Sequence, residues 1–202
     1  VHAHWWGKTD AIDAGTPPVA RHQDASHLAS FLAGFIDLVG EYLTRDRIIC
    51  YEHVFDRIDA VLRTRLDGGD ATLLHTDSHF WNFLYPKDPG HGRCVLFDWP
   101  LWNKGLAGSD LAYMIALHLY PEHRRRFEPV LLSRYTEALR DGGVGRDMDD
   151  VRLDYRIGVI IGLLMPVMEF SWQIPPSDWM PKLEKAFATY DDLDCQEILA
   201  SG

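Results

Sequence analysis

Three short apolar runs, at residues 72–74, 83–85 and 94–97, interrupt a chain whose apolar residues otherwise recur every three or four positions. Each run is strand-sized, and the turn-rich stretch 86–92, with Pro86, Pro89, Gly90 and Gly92, reads as a hairpin connection between the last two. On either side the pattern is helical. Residues 25–43 place Leu28, Phe31, Leu32, Phe35, Leu38, Val39 and Leu43 on one face, and residues 48–66 repeat that pattern with Tyr51, Val54, Phe55, Ile58, Val61 and Leu62. Further helices are expected at 110–120, with Ser109 or Asp110 as N-cap, at 122–140, at 149–170 with a kink at Pro166, and at 181–199 with Asp178 as N-cap. Residues 1–8 read as a helix tail and 9–24, with Gly15, Pro17 and Pro18, as a loop. Helices, a β patch, then helices again give an α+β fold, predominantly helical, in one domain spanning 1–202.

Composition narrows the function classes. The formal charge of −10 argues against a general nucleic-acid binder, which needs a basic face. Cys50, Cys94 and Cys195 stand far apart with no CxxC pair, so neither a disulfide framework nor a cysteine zinc site is expected. The longest apolar run, 157–167, carries glycines and is too short to span a bilayer, so no membrane partner is expected and a reducing, cytoplasmic setting is. Most of the seven tryptophans are expected to pack between helices, Trp102 and Trp172 being better placed to line a pocket. His118, His123 and Arg124–Arg125–Arg126 are expected on a solvated helix face, the acidic run 147–150 at a helix start, and the glycines at 142–145 in a linker.

The chemistry concentrates between His75 and Asp110. His75-Thr76-Asp77-Ser78-His79-Phe80-Trp81-Asn82 follows the first strand, Asp98-Trp99 follows the third, and Gly108-Ser109-Asp110-Leu111-Ala112 opens a helix. A loop between strands can bring Asp77 and Asn82 to one point, and the hairpin returns Asp98 beside them. Such a set suits phosphoryl transfer, which depends on positioning and charge neutralisation. Asp77 can orient an attacking hydroxyl and accept its proton, while Asn82 and Asp98 are hard oxygen ligands suited to magnesium.

These three motifs, in this order, resemble the aminoglycoside phosphotransferase/choline kinase superfamily, near its ecdysteroid-kinase-like group. The opening His2-Ala3-His4-Trp5-Trp6-Gly7 resembles the helix that follows the nucleotide lobe in such proteins. The resemblance implies the C-terminal lobe of a protein-kinase-like fold, using ATP or GTP with Mg2+ to phosphorylate a small-molecule hydroxyl. It makes Asp77 the catalytic base, Asn82 and Asp98 the metal and nucleotide ligands, His75 a brace of the loop and Asp110 its structural support. His79, Trp102 and Trp172 are candidate substrate contacts. Relatives act on aminoglycosides, choline, sugars and steroids, so the acceptor is not named by the resemblance. Two residues depart from the family pattern. Thr76 stands where glycine is usual, which matters if the loop needs a positive φ, and Pro100 stands where a polar residue is common. No Gly-rich strand-turn-strand and no strand lysine occur in the 202 residues, so the nucleotide-binding lobe is expected upstream and the isolated chain is expected to be inactive.

Two other readings compete. A zinc hydrolase would draw ligands from His2, His4, His75, Asp77, His79 and Asp98, but leaves Asn82 and the 108–112 element without a role. A non-catalytic kinase-like binding module would explain both the absent lobe and Thr76.

Overall fold

The structure is a computed structural model and describes residues 1–12, 25–88, 90 and 92–200. A single turn, α1 (His2–Trp5), precedes two long helices, α2 (Ala25–Val39) and α3 (Arg45–Leu66). Thr44 caps α3, which starts at Arg45, three residues before the apolar pattern does: the Thr44 Oγ1 accepts the Arg47 N–H at 3.3 Å. The predicted loop at 9–24 is outside the described residues from 13 onward, with Gly15, Pro17 and Pro18 among them, and Thr9–Ala11 form a short 3-10 turn.

The β patch is two antiparallel pairs. Strand β1 (Ala71–Leu74) precedes the hairpin of β2 (Phe83–Leu84) and β3 (Val95–Leu96), in which Phe83 faces Leu96. The partner of β1 is β4 (Asn103–Leu106), in a register that sets Ala71 opposite Leu106 and Leu74 opposite Asn103. The sequence reading missed β4, because Asn-Lys-Gly-Leu lacks both alternation and β-branched residues. Gly105 belongs there for a steric reason: a Cβ would stand 2.9 Å from Leu74 Cδ1.

After β4 the chain is helical: α4 (Gly108–Ala112), a π-helical turn (Tyr113–Leu117), α5 (Pro121–Asp141), α6 (Met148–Gly162), α7 (Leu164–Ser171), α8 (Pro176–Asp192) and α9 (Gln196–Ala200). Three expectations need correction. Residues 149–170 form two helices, broken at Leu163. Pro166 has no N–H for the Gly162 carbonyl and its ring crowds that carbonyl, so the break falls one turn upstream of the proline. The buried Tyr51 hydroxyl donates to the Leu163 carbonyl at 3.0 Å, satisfying a group at the break. The helix expected at 181–199 begins at Pro176, five residues early, with Pro175 as N-cap and Asp178 inside its first turn, and it ends at Asp192, residues 196–200 forming the separate α9. Neither Ser109 nor Asp110 caps α4; Ala107 holds that position.

The apolar faces of α2, α3, α6, α7 and α8 meet in one core around Phe35, Tyr51, Ile58, Val159, Val167 and Trp179, with Phe35 set 5.4 Å from the Trp179 ring and 5.6 Å from Tyr51. Trp179 is the fully buried tryptophan in that core, whereas Trp81 is 75% exposed. Two of the expected surface residues do not sit on a fully solvated face. Arg124 is buried, paired with Glu128 at 2.7 Å and with Asp192, and Glu128 in turn accepts the Tyr155 hydroxyl at 2.9 Å. An arginine inside α5 is tolerable because both carboxylates neutralise it. His118 is drawn against Tyr113, 4.7 Å between rings. No described helix is long and apolar enough to cross a membrane.

Candidate functional site

The site is built on two glycines. In α4, Gly108 lies so close to α6 that a Cβ would stand 1.8 Å from the Asp154 carbonyl oxygen, and a Cβ on Gly158 would stand 2.0 Å from the Gly108 oxygen. This backbone-on-backbone crossing sets the height at which Asp110 meets the loop after β1. Asp110 Oδ2 accepts the His75 N–H at 2.7 Å and Oδ1 accepts the Thr76 N–H at 2.8 Å. Its carbonyl accepts the Ser78 hydroxyl at 3.0 Å. One buried side chain, that of Asp110, thus meets the two residues before Asp77.

Thr76 has a φ of +64°, so the loop does require the left-handed conformation that disfavours a β-branched residue. Its hydroxyl donates to the Leu101 carbonyl at 2.6 Å and offsets part of that strain. Pro100 also has a local explanation. Trp102 N–H donates to the Trp99 carbonyl at 3.1 Å, closing a turn in which Pro100 occupies the second position, where its fixed φ fits.

Asp77 is held on both carboxylate oxygens. Tyr113 donates its hydroxyl to Oδ1 at 2.9 Å, and Asn82 donates Nδ2 to Oδ2 at 3.0 Å and to the Asp77 carbonyl at 2.7 Å. Burial, then the charge of Asp77, push the Tyr113 hydroxyl well above the usual phenol range, so it remains a donor. His79 Nε2 lies 3.5 Å from Asp77 Oδ1. His75 accepts the Asp77 N–H at Nδ1 (3.3 Å), so its proton sits on Nε2, which donates to the Phe97 carbonyl at 2.8 Å. Trp99 packs its ring 4.6 Å from His75.

Phe97 also donates its N–H to the Asn82 carbonyl at 3.0 Å, which registers the end of β3 against the start of β2. Asp98 follows at once, exposed and with a φ of +65°. Among the described residues its carboxylate takes no hydrogen bond and no ion pair, and Asn82 Oδ1 accepts none either. The amide nitrogen of Asn82 is committed to Asp77, and Asp98 follows directly on Phe97, whose backbone meets that of Asn82. Behind the loop, His118 donates Nδ1–H to the Tyr113 carbonyl at 2.7 Å, and burial lowers its pKa to about 4. Burial raises the Glu169 carboxyl, which is paired with Lys182 and feels the charge of Asp77.

Other candidates do not join this group. Trp102 is partly buried in the turn before β4 and Trp172 is exposed at the end of α7, and neither shares a described hydrogen bond or ring contact with Asp77, Asn82 or Asp98. The zinc ligands do not assemble. His4 is exposed, both ring nitrogens of His2 and of His75 are engaged by protein groups, and among the described residues no cluster of three or more His, Cys, Asp or Glu can hold a metal ion. The sequence reading overlooked Tyr113, which stands three positions after Asp110 and so on the same helix face; that spacing was the available signal.

The model of the ecdysteroid kinase-like family matches residues 25–143, more than half of the chain and all three motifs. The chain belongs to the ecdysteroid kinase-like family. This family lies within the protein-kinase-like superfamily of the aminoglycoside phosphotransferases and points to small-molecule phosphotransferases in general. Within this ecdysteroid kinase-like chain the match runs from α2 to the end of α5. It leaves α6 to α9, including the Gly158 surface under Asp110, beyond it. Comparison with curated proteins gives no match, and comparison with solved structures gives none.

Proposed function

We propose that the chain is the C-terminal, catalytic lobe of an ATP-dependent small-molecule O-phosphotransferase, acting with a nucleotide-covering lobe outside these 202 residues. The observation that carries this reading is the Asp77 carboxylate clamped between Tyr113 and Asn82, with Asp98 following Phe97, whose N–H is bonded to the Asn82 carbonyl.

In this reading Asp77 orients the acceptor hydroxyl and takes its proton as the phosphoryl group is transferred. Each of its oxygens spends one lone pair on a fixed donor and keeps another for that hydroxyl. Tyr113 and Asn82 prevent rotation of the carboxylate, so the acceptor meets it in a set direction. Asn82 Oδ1 and the Asp98 carboxylate hold Mg2+, which when bound neutralises and orients the nucleotide phosphates. His75, tied to Asp77 N–H and the Phe97 carbonyl, keeps the base and the Asp98 segment in one frame. His79, beside Asp77, stands on the acceptor side. A nucleoside triphosphate, ATP before GTP, and a cytoplasmic setting complete the proposal.

In the full-length protein, Asp98→Ala should weaken Mg-ATP binding by about tenfold or more while leaving metal-free nucleotide binding within about twofold. Calorimetric titration with and without Mg2+ measures this. Equal Mg-ATP affinity in wild type and variant would remove Asp98 from the metal site.

A further inference from the structure

We propose that His2, from the turn at the start of the chain, is a positioning residue for the phosphoryl-transfer loop, acting through Asp110. The inference rests on the reading of Asp77 given above. Asp110 accepts three donors: the His75 and Thr76 amides, and His2 Nε2, which reaches Oδ2 at 3.1 Å. Both amides belong to the residues just before Asp77, and the second is the strained Thr76. Where the Asp110 carboxylate points therefore decides where Asp77 stands. His2 is the side chain that meets this carboxylate.

The proton placement is determined by its neighbours. A carboxylate can only accept, so Nε2 of His2 carries the hydrogen, and in the neutral ring Nδ1 is the acceptor. Tyr135 donates its hydroxyl to Nδ1 at 2.8 Å, and burial keeps that hydroxyl protonated. The result is one directional chain of hydrogen bonds, from Tyr135 through His2 to Asp110, ending on the two loop amides. His2 and Asp110 are both largely buried, with 14% and 8% of their side chains exposed, so water is a poor substitute for either.

The turn that carries His2 is itself pinned on two sides. The His2 carbonyl accepts the hydroxyl of the fully buried Thr72 in β1 at 2.8 Å, and Gly7 N–H donates to the Ala71 carbonyl at 2.9 Å. At the end of α5, Gly142 leaves room for Ala3: a Cβ there would lie 2.4 Å from the Ala3 Cβ. The imidazole thus enters from a fixed platform. It touches neither the base nor the proposed metal ligands, which separates its role from theirs.

The test compares His2→Phe, which keeps a ring but loses the donor, with His2→Gln, whose amide nitrogen reaches the Nε2 position. In the full-length protein, His2→Phe should lower kcat by about ten- to a hundredfold with the KM of both substrates within about twofold, the loss expected of a base displaced by about 1 Å. His2→Gln should recover kcat to within about threefold of wild type. In the same full-length proteins, hydrogen exchange at the His75 and Thr76 amides should speed up by about tenfold or more in His2→Phe and stay near wild type in His2→Gln. Unchanged exchange and kcat in His2→Phe would overturn the proposal, as would a His2→Gln variant no better than His2→Phe. Should the wild type transfer no phosphoryl group, the base assignment fails, and the amide exchange still decides the role of His2.

Discussion

The loop that carries Asp77 and the crossing of α4 over α6 lie side by side but are held by opposite means. At the crossing, Gly108 and Gly158 bring two backbones together because neither carries a side chain, and no polar side chain is needed. In the loop, residues 75–82 bury little apolar surface and are held by directed bonds from Asp110, Tyr113, Asn82 and His75. The first contact is steric and insensitive to pH or charge. The second is electrostatic and tolerates the positive φ of Thr76 only because four side chains specify the loop around it. The difference shows how Asp77 is placed: its frame is as rigid as the glycine crossing beneath Asp110, and the polar bonds transmit that rigidity upward.

The largest effect should come from the crossing. Gly158→Ala forces a Cβ to within 2.0 Å of the Gly108 carbonyl oxygen, where the neighbouring atoms are backbone and cannot move aside cheaply. A loss of about 3 kcal/mol or more is expected, at the high end of overpacking costs, with a Tm lower by about 10 °C in thermal unfolding. A stable Gly158→Ala protein would break the comparison, since the crossing would then not be the rigid base of the site.

A smaller, pH-dependent effect should appear only on the polar side. Burial holds His118 at a pKa of about 4 against an unfolded value near 6.5. Between those values the unfolded chain binds a proton that the folded one refuses. The stability present above pH 6.5 is therefore lost as pH falls toward 4, with a slope of at most about 1.4 kcal/mol per pH unit. In denaturant unfolding, His118→Asn, which keeps a donor for the Tyr113 carbonyl, should narrow its deficit relative to wild type across that window. A pH-independent difference would place His118 among the purely steric contacts.

What the sequence disclosed divides along the same line. The amphipathic faces that form the core are local patterns, and the spacing of Asp77, Asn82 and Asp98 reads as chemistry because phosphoryl transfer needs those residue types. β4 was not legible, since Asn103 to Leu106 become a strand only through β1 and the space Gly105 leaves for Leu74. The break at Leu163 lay one turn from where Pro166 suggested, because the residue penalised by a proline is the one whose carbonyl it faces. Arg124 looked like part of a solvated basic run; its partners Glu128 and Asp192 come from one turn on and from a different helix. His2 reaches the site through tertiary contacts that leave no fixed spacing in the chain, whereas Tyr113 left only its three-residue step from Asp110. The threonine at position 76 was legible as a departure, but its hydroxyl bond to Leu101 was not.

The smallest effect belongs to that threonine. Thr76→Gly should release about 1–2 kcal/mol of left-handed strain, lose a hydrogen bond of about 1 kcal/mol and add about 0.5–1 kcal/mol of unfolded-state entropy. Equilibrium unfolding should place the net change within about 1 kcal/mol. A loss beyond about 2 kcal/mol would sharpen the comparison in another direction, making the Thr76–Leu101 bond a principal support of the loop.

The central claim is that Asp77 receives the acceptor proton, and Asp77→Asn in the full-length protein tests it most directly. Asparagine keeps the size and can still meet Tyr113 and Asn82, but it cannot serve as the base. Turnover of ATP-dependent phosphorylation should fall by about a hundredfold or more while the affinity for Mg-ATP stays within about threefold. Wild-type turnover in Asp77→Asn would contradict the account.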